Sequence, residues 1–460
     1  MSQRKVMGKR LNRLDGIQKA SGKAKYTSDL SKPGLLHTVI LSCPHAHAIV
    51  RGIDVGGAEK MPGVANIRIV AKPGKEIHWA GDEVAYIAAA TENQARDAAR
   101  AIKVDYEVQP HFVREDRLAD AGPRAKAAGE KLQGDPDAAF SGADATIEGS
   151  YGIPVITHCC LEPHGNVTHW DGETINFFPS TQNVSGIAGT LAPMIERPAT
   201  AIKVHMDHVG GGFGGKFPAD RWGGESTLAS KATGKPVRVY LDRQQELILG
   251  GVRPSHFAKI KLAAKKDGTI TAWQSESWST GGYTGGGMPP IPYVFSNIPN
   301  QRLNHTAVST NAGGQRAWRA PNHPQASFLT CAAIEDLAAK LGMNPIDVYL
   351  KNFQFTPRAE VYTRQIKKAA EMIEWKKNWH QRGDKTAGPI KRGLGLAVGT
   401  WGGAGHPSEC RSTIFADGTV ELSLGSQDIG TGTRTIITQV AAETFGLPMS
   451  AIKLSIGDST

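Results

Sequence analysis

The amino-acid sequence predicts an α+β fold that contains more than one domain. Three observations support this prediction. At 460 residues the chain is long enough for two to four domains. Apolar runs with strand character occur along its whole length. Helices with clear start signals are mixed among these runs, and no regular βαβ alternation precedes the middle of the chain.

The first part of the chain predicts a compact α+β unit. Residues 35–42 and 83–90 are apolar, strand-like runs, and 104–108 resumes a strand. A helix should start at Thr91, because Thr91-Glu92-Asn93-Gln94 matches the S/T-x-x-E/Q capping box. Apolar residues follow at helical spacing, so we expect a first domain over residues 1–111.

A charged segment rich in Ala, Gly and Asp follows the first unit. Residues 112–145 contain few large apolar side chains, so they are predicted to form a linker at the surface. A larger region over 146–388 mixes strands with helices at 325–341 and 344–353. Asn344 and Pro345 supply the cap and the first helical residue of the second of these helices.

The last region, 389–460, is predicted to be the start of a further domain. Asp417-Gly418 lies between two alternating runs and predicts a hairpin turn. An amphipathic helix over 435–447 and a strand over 451–458 follow. Because the apolar faces of this region lack partners, we expect the chain to be a fragment or one part of a split subunit.

Composition excludes several classes of protein. Hydrophobic content of 40% and charged content of 21% are those of an ordinary globular protein. A net charge of +10 suits acidic partners, but the basic residues do not form a stripe with aromatics, so nucleic-acid binding is not expected. We find no apolar run of about 18 residues and no signal peptide. The expected location is the cytoplasm, or the periplasm if a partner subunit carries an export signal.

The side-chain types that commonly bind metals are not spaced as a recognisable metal site in this sequence. Five cysteines show no CxxC spacing, which argues against a zinc or iron–sulfur centre built from this chain alone. His158, Glu162 and His164 resemble a metal cluster, but Pro163 interrupts their spacing. We therefore expect them to be hydrogen-bonded core or interface residues.

The most informative segment is 201–217, AIKVHMDHVGGGFGGKF. A strand-like run leads into five glycines within six positions, and glycine allows both positive φ and close approach of a ligand. Consecutive free N–H groups in such a loop bind anions or polar cofactor atoms. A purely structural glycine turn is the plain alternative.

Two nucleotide-binding interpretations fit this loop less well. Gly210, Gly212 and Gly215 satisfy G-x-G-x-x-G, and Asp242 lies where a dinucleotide fold places its acid. However, the preceding strand alternates polar and apolar residues, whereas a parallel Rossmann strand is apolar throughout. A phosphate loop of the Walker type would need Ser or Thr at the position of Phe217.

Several segments together resemble the molybdenum-binding subunits of the xanthine dehydrogenase/aldehyde oxidase family. They occur in the order found in that family and cover nearly the whole chain. These segments are GKAKYTSD (22–29), SCPHAHAIV (42–50), LEPHGNVTHW (161–170), STQ (180–182), GGGFGGKF (210–217), QRAWRAPNHPQ (315–325) and GSQDIGTGTRT (425–435).

The resemblance implies both the fold and the reaction. It implies a hammerhead-like α/β domain first, then a molybdenum-cofactor-binding α+β domain and the start of a second one. The implied cofactor is molybdopterin with molybdenum, commonly as the cytosine dinucleotide in bacteria. The implied reaction is hydroxylation of an aldehyde or N-heterocycle with oxygen from water. Electrons would leave through iron–sulfur and FAD groups on partner subunits.

The resemblance also assigns site residues. Gln182 should reach an oxo or hydroxo group of the metal, which is held through the pterin dithiolene and not by protein ligands. The other residues implied to border the cofactor are Gly212, Phe213, Gly214, Arg319, Ile429, Gly430, Thr431 and Gly432. Each has a structural alternative: a turn for Gln182, an ion pair for Arg319, core packing for Phe213 and a helix-cap loop for residues 429–432.

Two departures from the family pattern bear on the reaction. Phe217 stands where purine-active members have a glutamate, which favours an aldehyde over xanthine. The family's catalytic glutamate has no match in 392–460, and Glu225 lies at the wrong place in the order. The first hypothesis is therefore an enzyme subunit that further sequence or a second chain completes. The competing hypotheses are a truncated, catalytically incomplete subunit without activity and, more weakly, an NAD-dependent oxidoreductase.

Overall fold

The structure is a computed structural model that describes residues 4–383, 385, 387–402 and 407–459. The chain forms two compact units. Unit 1 takes the described residues up to Pro110, Thr157–Gly251 and those after 406. Unit 2 takes His111–Ile156 and the described residues from Val252 to 402. No helix in the described part of the chain has both the length and the apolar character needed to cross a bilayer.

The secondary structure of these residues is mixed throughout. The strands are β1 (Leu36–Ser42), β2 (Ala48–Asp54), β3 (Val64–Ile69), β4 (Glu76–Ile77), β5 (Glu83–Ala89), β6 (Lys103–Val108), β7 (Ala125–Gln133), β8 (Ala145–Ile153), β9 (Ile156–Thr157), β10 (Gly165–Asp171), β11 (Thr174–Pro179), β12 (Ile202–Val204), β13 (Val237–Tyr240), β14 (Val252–Arg253), β15 (Ser255–Ala264), β16 (Ile270–Thr280), β17 (Asn300–Val308), β18 (Arg411–Ile414), β19 (Val420–Ser423) and β20 (Ile452–Ser455). The helices are α1 (Gly16–Ala20), α2 (Gly56–Glu59), α3 (Glu92–Ala101), α4 (Pro136–Ser141), α5 (Val184–Ile195), α6 (Asp220–Thr233), α7 (Arg243–Ile248), α8 (His323–Leu341), α9 (Pro345–Asn352), α10 (Ala359–Met372), α11 (Trp375–Asn378) and α12 (Thr433–Phe445).

Unit 1 is built on a seven-stranded mixed sheet in the order β12-β11-β10-β13-β1-β5-β3. Helix α3 packs its alanines on the face that carries Ile87, whereas Trp222 of α6 packs with Tyr86 and Val239 on the opposite face. Helix α5 covers β11 and β12. The predicted helix start is confirmed, since the Thr91 hydroxyl accepts a hydrogen bond from Gln94 N at 3.3 Å.

Unit 2 is built on a five-stranded sheet in the order β7-β17-β16-β15-β8, on which α8 packs. The two predicted helices are confirmed, and Asn344 Oδ1 caps α9 by accepting from Ile346 N at 3.0 Å. The segment expected as a linker, 112–145, instead contains β7 and α4. Because β7 is an exposed edge strand, it lacks the apolar pattern that marks a buried strand. The domain boundaries themselves stay a prediction.

The C-terminal region forms the predicted hairpin, helix and strand. Strands β18 and β19 are antiparallel around Asp417-Gly418, and β20 pairs parallel to β19 after α12 crosses over. This small sheet belongs to unit 1. Its end is joined to β12, because Met206 N donates to Gly457 O at 2.7 Å and His205 Nδ1 lies 2.8 Å from the Asp458 carboxylate.

A buried carboxyl in unit 1 makes stability depend on pH. Burial is the main cause that raises the pKa of Glu83 to about 7, although Arg221, at 3.1 Å, and the Tyr86 hydroxyl favour its charged form. The raised pKa means that the folded state binds the Glu83 proton more tightly than the unfolded state does. The stability that this proton contributes is full below about pH 4.5 and is lost as pH rises through 7.

We expect unfolding free energy to fall on the order of 3 kcal/mol between pH 4.5 and 8 because of Glu83 alone. The Glu83→Gln variant should lack this slope. Urea unfolding at several pH values between 5 and 8 would measure it. An equal slope in both proteins would show that another group is responsible.

Candidate functional site

The glycine loop after β12 has a backbone that places consecutive N–H groups together. Gly211, Phe213 and Gly214 have φ of +106°, +51° and +110°, and Gly215 N donates to Gly212 O at 2.8 Å to close a tight turn. Three left-handed residues within four positions prevent a helix here. The sequence Gly-Gly-Gly-Phe-Gly-Gly therefore forms a tight turn rather than a helix.

Three amides of this loop make no hydrogen bond among the residues that the structure describes: the N–H groups of Gly211, Gly212 and Phe213. Gly212 is buried, and a buried N–H group without a partner is costly. The loop thus presents donors that a ligand with acceptor atoms would satisfy. The Phe213 ring is 43% exposed, so it does not fill the core.

Gln182, in the turn after β11, is held against the same loop. Its Oε1 accepts from Gly214 N at 2.8 Å and from Lys216 N at 3.4 Å, and its backbone N donates to Lys216 O at 3.0 Å. Because Oε1 faces these two donors, the amide Nε2 points away from them. In the described part of the chain Nε2 has no partner, which leaves it as a free donor. A Cβ on Gly212 would lie 2.5 Å from Oε1, so only glycine permits this packing.

In the turn before α12, the amides of two of the four predicted residues are hydrogen-bonded within the protein. The Asp428 carboxylate accepts from Gly430 N at 2.8 Å, Gly432 N at 3.2 Å and Arg434 N at 3.1 Å. These amides and the start of the helix are therefore occupied by the protein itself. Burial alone would raise the pKa of Asp428, but hydrogen bonds from these N–H groups outweigh it and lower that pKa.

Exposed parts of this turn remain available to a ligand. Ile429, Gly430 and Thr431 are exposed, and the N–H groups of Ile429 and Thr431 have no partner among the described residues. The sequence analysis did not single out Asp428. An Asp placed before a Gly-Thr-Gly turn and a helix start was the signal that could have identified it.

The structure brings this turn next to Gln182 within unit 1. Val184 N, at the start of α5, donates to Gln427 Oε1 at 3.0 Å, and a Cβ on Gly425 would lie 3.4 Å from Ser185. Segments 210–217 and 425–432 thus both border the residues that follow β11. Gln427, which the sequence analysis also missed, makes the connecting hydrogen bond.

Arg319, the remaining predicted residue, lies in unit 2. Its side chain is exposed, and its carbonyl oxygen accepts from Nη2 of the buried Arg253 at 2.9 Å. Arg253 also donates to Ala320 O at 3.3 Å and to Gln325 Oε1 at 3.2 Å. Arg253 therefore holds the backbone around Arg319, a role that the sequence did not indicate.

Buried polar residues lie beneath the glycine loop. Glu162, His164, Lys216 and Glu246 are each at most 7% exposed and are joined by hydrogen bonds, as expected of core residues. The described residues hold no group of three His, Cys, Asp or Glu side chains arranged for a metal ion.

The dinucleotide interpretation is not supported by the structure. Asp242 forms the N-cap of α7, where its carboxylate accepts from Gln245 N at 2.9 Å. Strand β10 runs antiparallel to both of its neighbours, β11 and β13, so the sheet is not the parallel sheet of a dinucleotide-binding fold.

Comparison with known proteins gives consistent matches. Two protein-family models of the molybdopterin cofactor-binding domain match residues 119–353 and 368–460. The aldehyde oxidoreductase molybdenum-binding subunit PaoC of Escherichia coli strain K12 is 28% identical over 491 residues, which cover 100% of this chain and 67% of that protein. The nicotinate dehydrogenase large molybdopterin subunit of Eubacterium barkeri is 30% identical over 75% of this chain and 89% of its own length.

A solved structure shares the fold. Quinoline 2-oxidoreductase from Pseudomonas putida 86 superposes with a TM-score of 0.82 at 21% identity, over 100% of this chain and 67% of that chain. The chain thus spans about two thirds of the length of the E. coli subunit and about two thirds of the quinoline 2-oxidoreductase chain.

Proposed function

Because this chain belongs to the molybdenum-binding subunits of the xanthine dehydrogenase/aldehyde oxidase family, we propose that its glycine loop and Gln182 hold a molybdopterin cofactor for hydroxylation of an aldehyde or N-heterocycle. One observation carries this proposal. Within the described residues, the N–H groups of Gly211, Gly212 and Phe213 and the Nε2 of Gln182 have no partner, while Gln182 Oε1 is bound to the same loop. When bound, the cofactor would supply the two-electron redox chemistry, with water as the oxygen source.

The residues of this chain would bind and orient that group. The three loop amides and Gln182 Nε2 donate hydrogen bonds from fixed positions, so little reorganisation is needed during the reaction. Gly212, Phe213 and Gly214 supply the backbone that borders the cofactor. Ile429 and Thr431 offer the free amides of their turn, in which Gly430 and Gly432 allow the positive φ of +98° and +92°. The role of Arg319, which lies in unit 2, stays a prediction from the family resemblance.

An aldehyde is the substrate class that these residues favour. Phe217 follows the glycine loop and is 44% exposed, and its carbonyl oxygen accepts from Asn183 Nδ2 at 3.2 Å. With Phe213 it presents two accessible aromatic rings at the loop, which cannot donate or accept hydrogen bonds at the edge of a purine. Such a surface suits a substrate of low polarity and excludes water from its surroundings.

The remaining parts of the proposal concern the assembly. We expect the cytosine dinucleotide form of molybdopterin, with iron–sulfur and FAD groups on partner subunits. The hammerhead-like domain would cover 1–111 and the cofactor-binding domains 146–388 and 389–460. The complex would lie in the cytoplasm or, with an exported partner, in the periplasm.

Molybdenum analysis of the protein co-expressed with its genomic neighbours tests the proposal. We expect the purified complex to contain molybdenum in stoichiometric amount with this chain and to oxidise aldehydes faster than xanthine. A folded complex from a host that makes the cofactor, yet without molybdenum, would contradict it. Molybdenum with no turnover on any aldehyde or N-heterocycle would favour the catalytically incomplete subunit.

A further inference from the structure

The His164 ring lies between two hydrogen-bond acceptors in the core of unit 1. Its Nδ1 lies 2.8 Å from Glu246 Oε1, and its Nε2 lies 3.1 Å from the carbonyl oxygen of Gly215. A carbonyl oxygen can only accept, and the same Glu246 oxygen also accepts the backbone N–H of His164. A neutral imidazole has a single N–H donor, so it can donate in only one of these two contacts. In the other contact, an unprotonated ring nitrogen would face an acceptor oxygen with no proton between them.

The charges around this ring require compensation. Four ionisable side chains are almost fully buried here: Glu162 is 7% exposed, His164 2%, Lys216 1% and Glu246 2%. Arg243, which donates to Cys160 O at 2.9 Å, is exposed and solvated, and the Cys160 thiol has a pKa raised mainly by burial. A neutral His164 would leave two buried carboxylates facing one buried ammonium. An uncompensated buried charge is strongly unfavourable.

We infer that His164 is a buried imidazolium and that, with Glu246, Glu162 and Lys216, it forms an ionic clamp that positions the glycine loop. This inference rests on the proposed function of that loop. The ring charge balances the cluster at two cations and two carboxylates, in which His164 and Glu246 form the direct ion pair. The pKa of Glu246 agrees: burial alone would raise it, but the hydrogen bonds and charge of His164, with the charge of Lys216, together lower that pKa below its usual value.

The clamp holds the loop at both ends. At its start, Glu162 Oε2 accepts from Gly210 N at 2.6 Å and from the Ser180 hydroxyl at 2.9 Å. At its end, Lys216 Nζ donates to Glu162 O and to Ser180 Oγ, each at 2.7 Å, while His164 donates to Gly215 O.

The free amides at residues 211–213 lie between these anchors. Their direction is therefore set by residues beneath the loop that need not touch the cofactor. His164, Glu246, Glu162 and Lys216 are positioning residues for the proposed site.

The charge state of His164 can be measured on the full chain without cofactor. Nitrogen NMR of protein labelled with ¹⁵N-histidine, with His164 identified by contacts to the neighbouring Trp222 ring, should show two protonated ring nitrogens at pH 7. A neutral ring at pH 7 would overturn the inference. This result does not depend on whether the wild-type complex contains molybdenum, so the inference and the proposed function fail separately.

The positioning role is tested by hydrogen exchange of the loop. Glu246→Gln keeps an acceptor oxygen but removes the charge that stabilises the imidazolium. We expect amides in 210–216 to exchange about tenfold faster in this variant. Glu83→Gln, which alters another buried carboxyl of unit 1, is the matched control and should leave the loop unchanged. If Glu246→Gln does not fold, Glu162→Gln tests the other end of the loop. Unchanged loop exchange in a folded variant would overturn the clamp.

Discussion

The Gly214→Val variant is expected to lose molybdenum while it remains folded. Gly214 has φ of +110°, a conformation that a β-branched residue adopts only with strain. Its N–H group donates to Gln182 Oε1 at 2.8 Å, so a shift of this residue also releases the amide that orients Nε2. Loss of about 3 kcal/mol of cofactor affinity would lower binding about 100-fold. Elemental analysis of the purified complex measures it.

A second glycine provides the control for backbone strain. Gly234, the C-cap of α6, also has positive φ, at +65°, and a Cβ there would meet nothing within 4 Å. Gly234→Val should therefore cost about 1–2 kcal/mol of stability through strain, with molybdenum content retained. A normal molybdenum content in Gly214→Val would show that the loop is not part of the cofactor site. An equal loss of molybdenum in both variants would show that the effect of Gly214→Val is general destabilisation.

Replacing Gln182 is expected to lower turnover by orders of magnitude with little change in subunit assembly. Gln182→Ala removes both the acceptor for Gly214 N and the free Nε2 donor. Loss of one preorganised donor typically costs about 100-fold to 1,000-fold in rate. The readout is steady-state oxidation of an aldehyde by the complete complex, with subunit stoichiometry measured on the same sample.

Gln182→Glu separates the two functions of this side chain. A glutamate retains an oxygen that accepts from Gly214 N and Lys216 N but lacks the N–H donor. It should leave the loop intact, with molybdenum retained, and still lose most of the activity. Gln109→Ala, at a glutamine outside the site, controls for the substitution itself. If Gln182→Glu turns over as fast as the wild type, the Nε2 donor of Gln182 is not needed for the reaction.

Most secondary structure could be predicted because its signals are local. Thr91 and Asn344 cap the helices that their neighbours predict, and Asp417-Gly418 forms the predicted hairpin. Strand β7 is an exception, because it lies at the edge of its sheet with nearly every residue exposed. Its stability comes from backbone pairing with β17, and no local apolar pattern records such a partner.

The candidate site could be predicted only in part. The glycine loop and Gln182 were identified from short segments, and the structure places them in direct contact. Asp428 was missed. Its carboxylate accepts hydrogen bonds from three backbone amides of a turn that the sequence had predicted to bind the cofactor. Arg253 was missed as well, since it lies 66 residues before the carbonyl of Arg319 that it holds.

By itself the sequence established the family, the mixed fold and the glycine loop, because each depends on residue types at short spacing. The tertiary structure alone decided which donors are free. The Asp428 carboxylate accepts from the amides of Gly430 and Gly432, while those of Gly211, Gly212 and Phe213 have no partner in the described part of the chain. A hydrogen bond between residues distant in the chain depends on how strands and loops pack, and local sequence contains no record of that geometry.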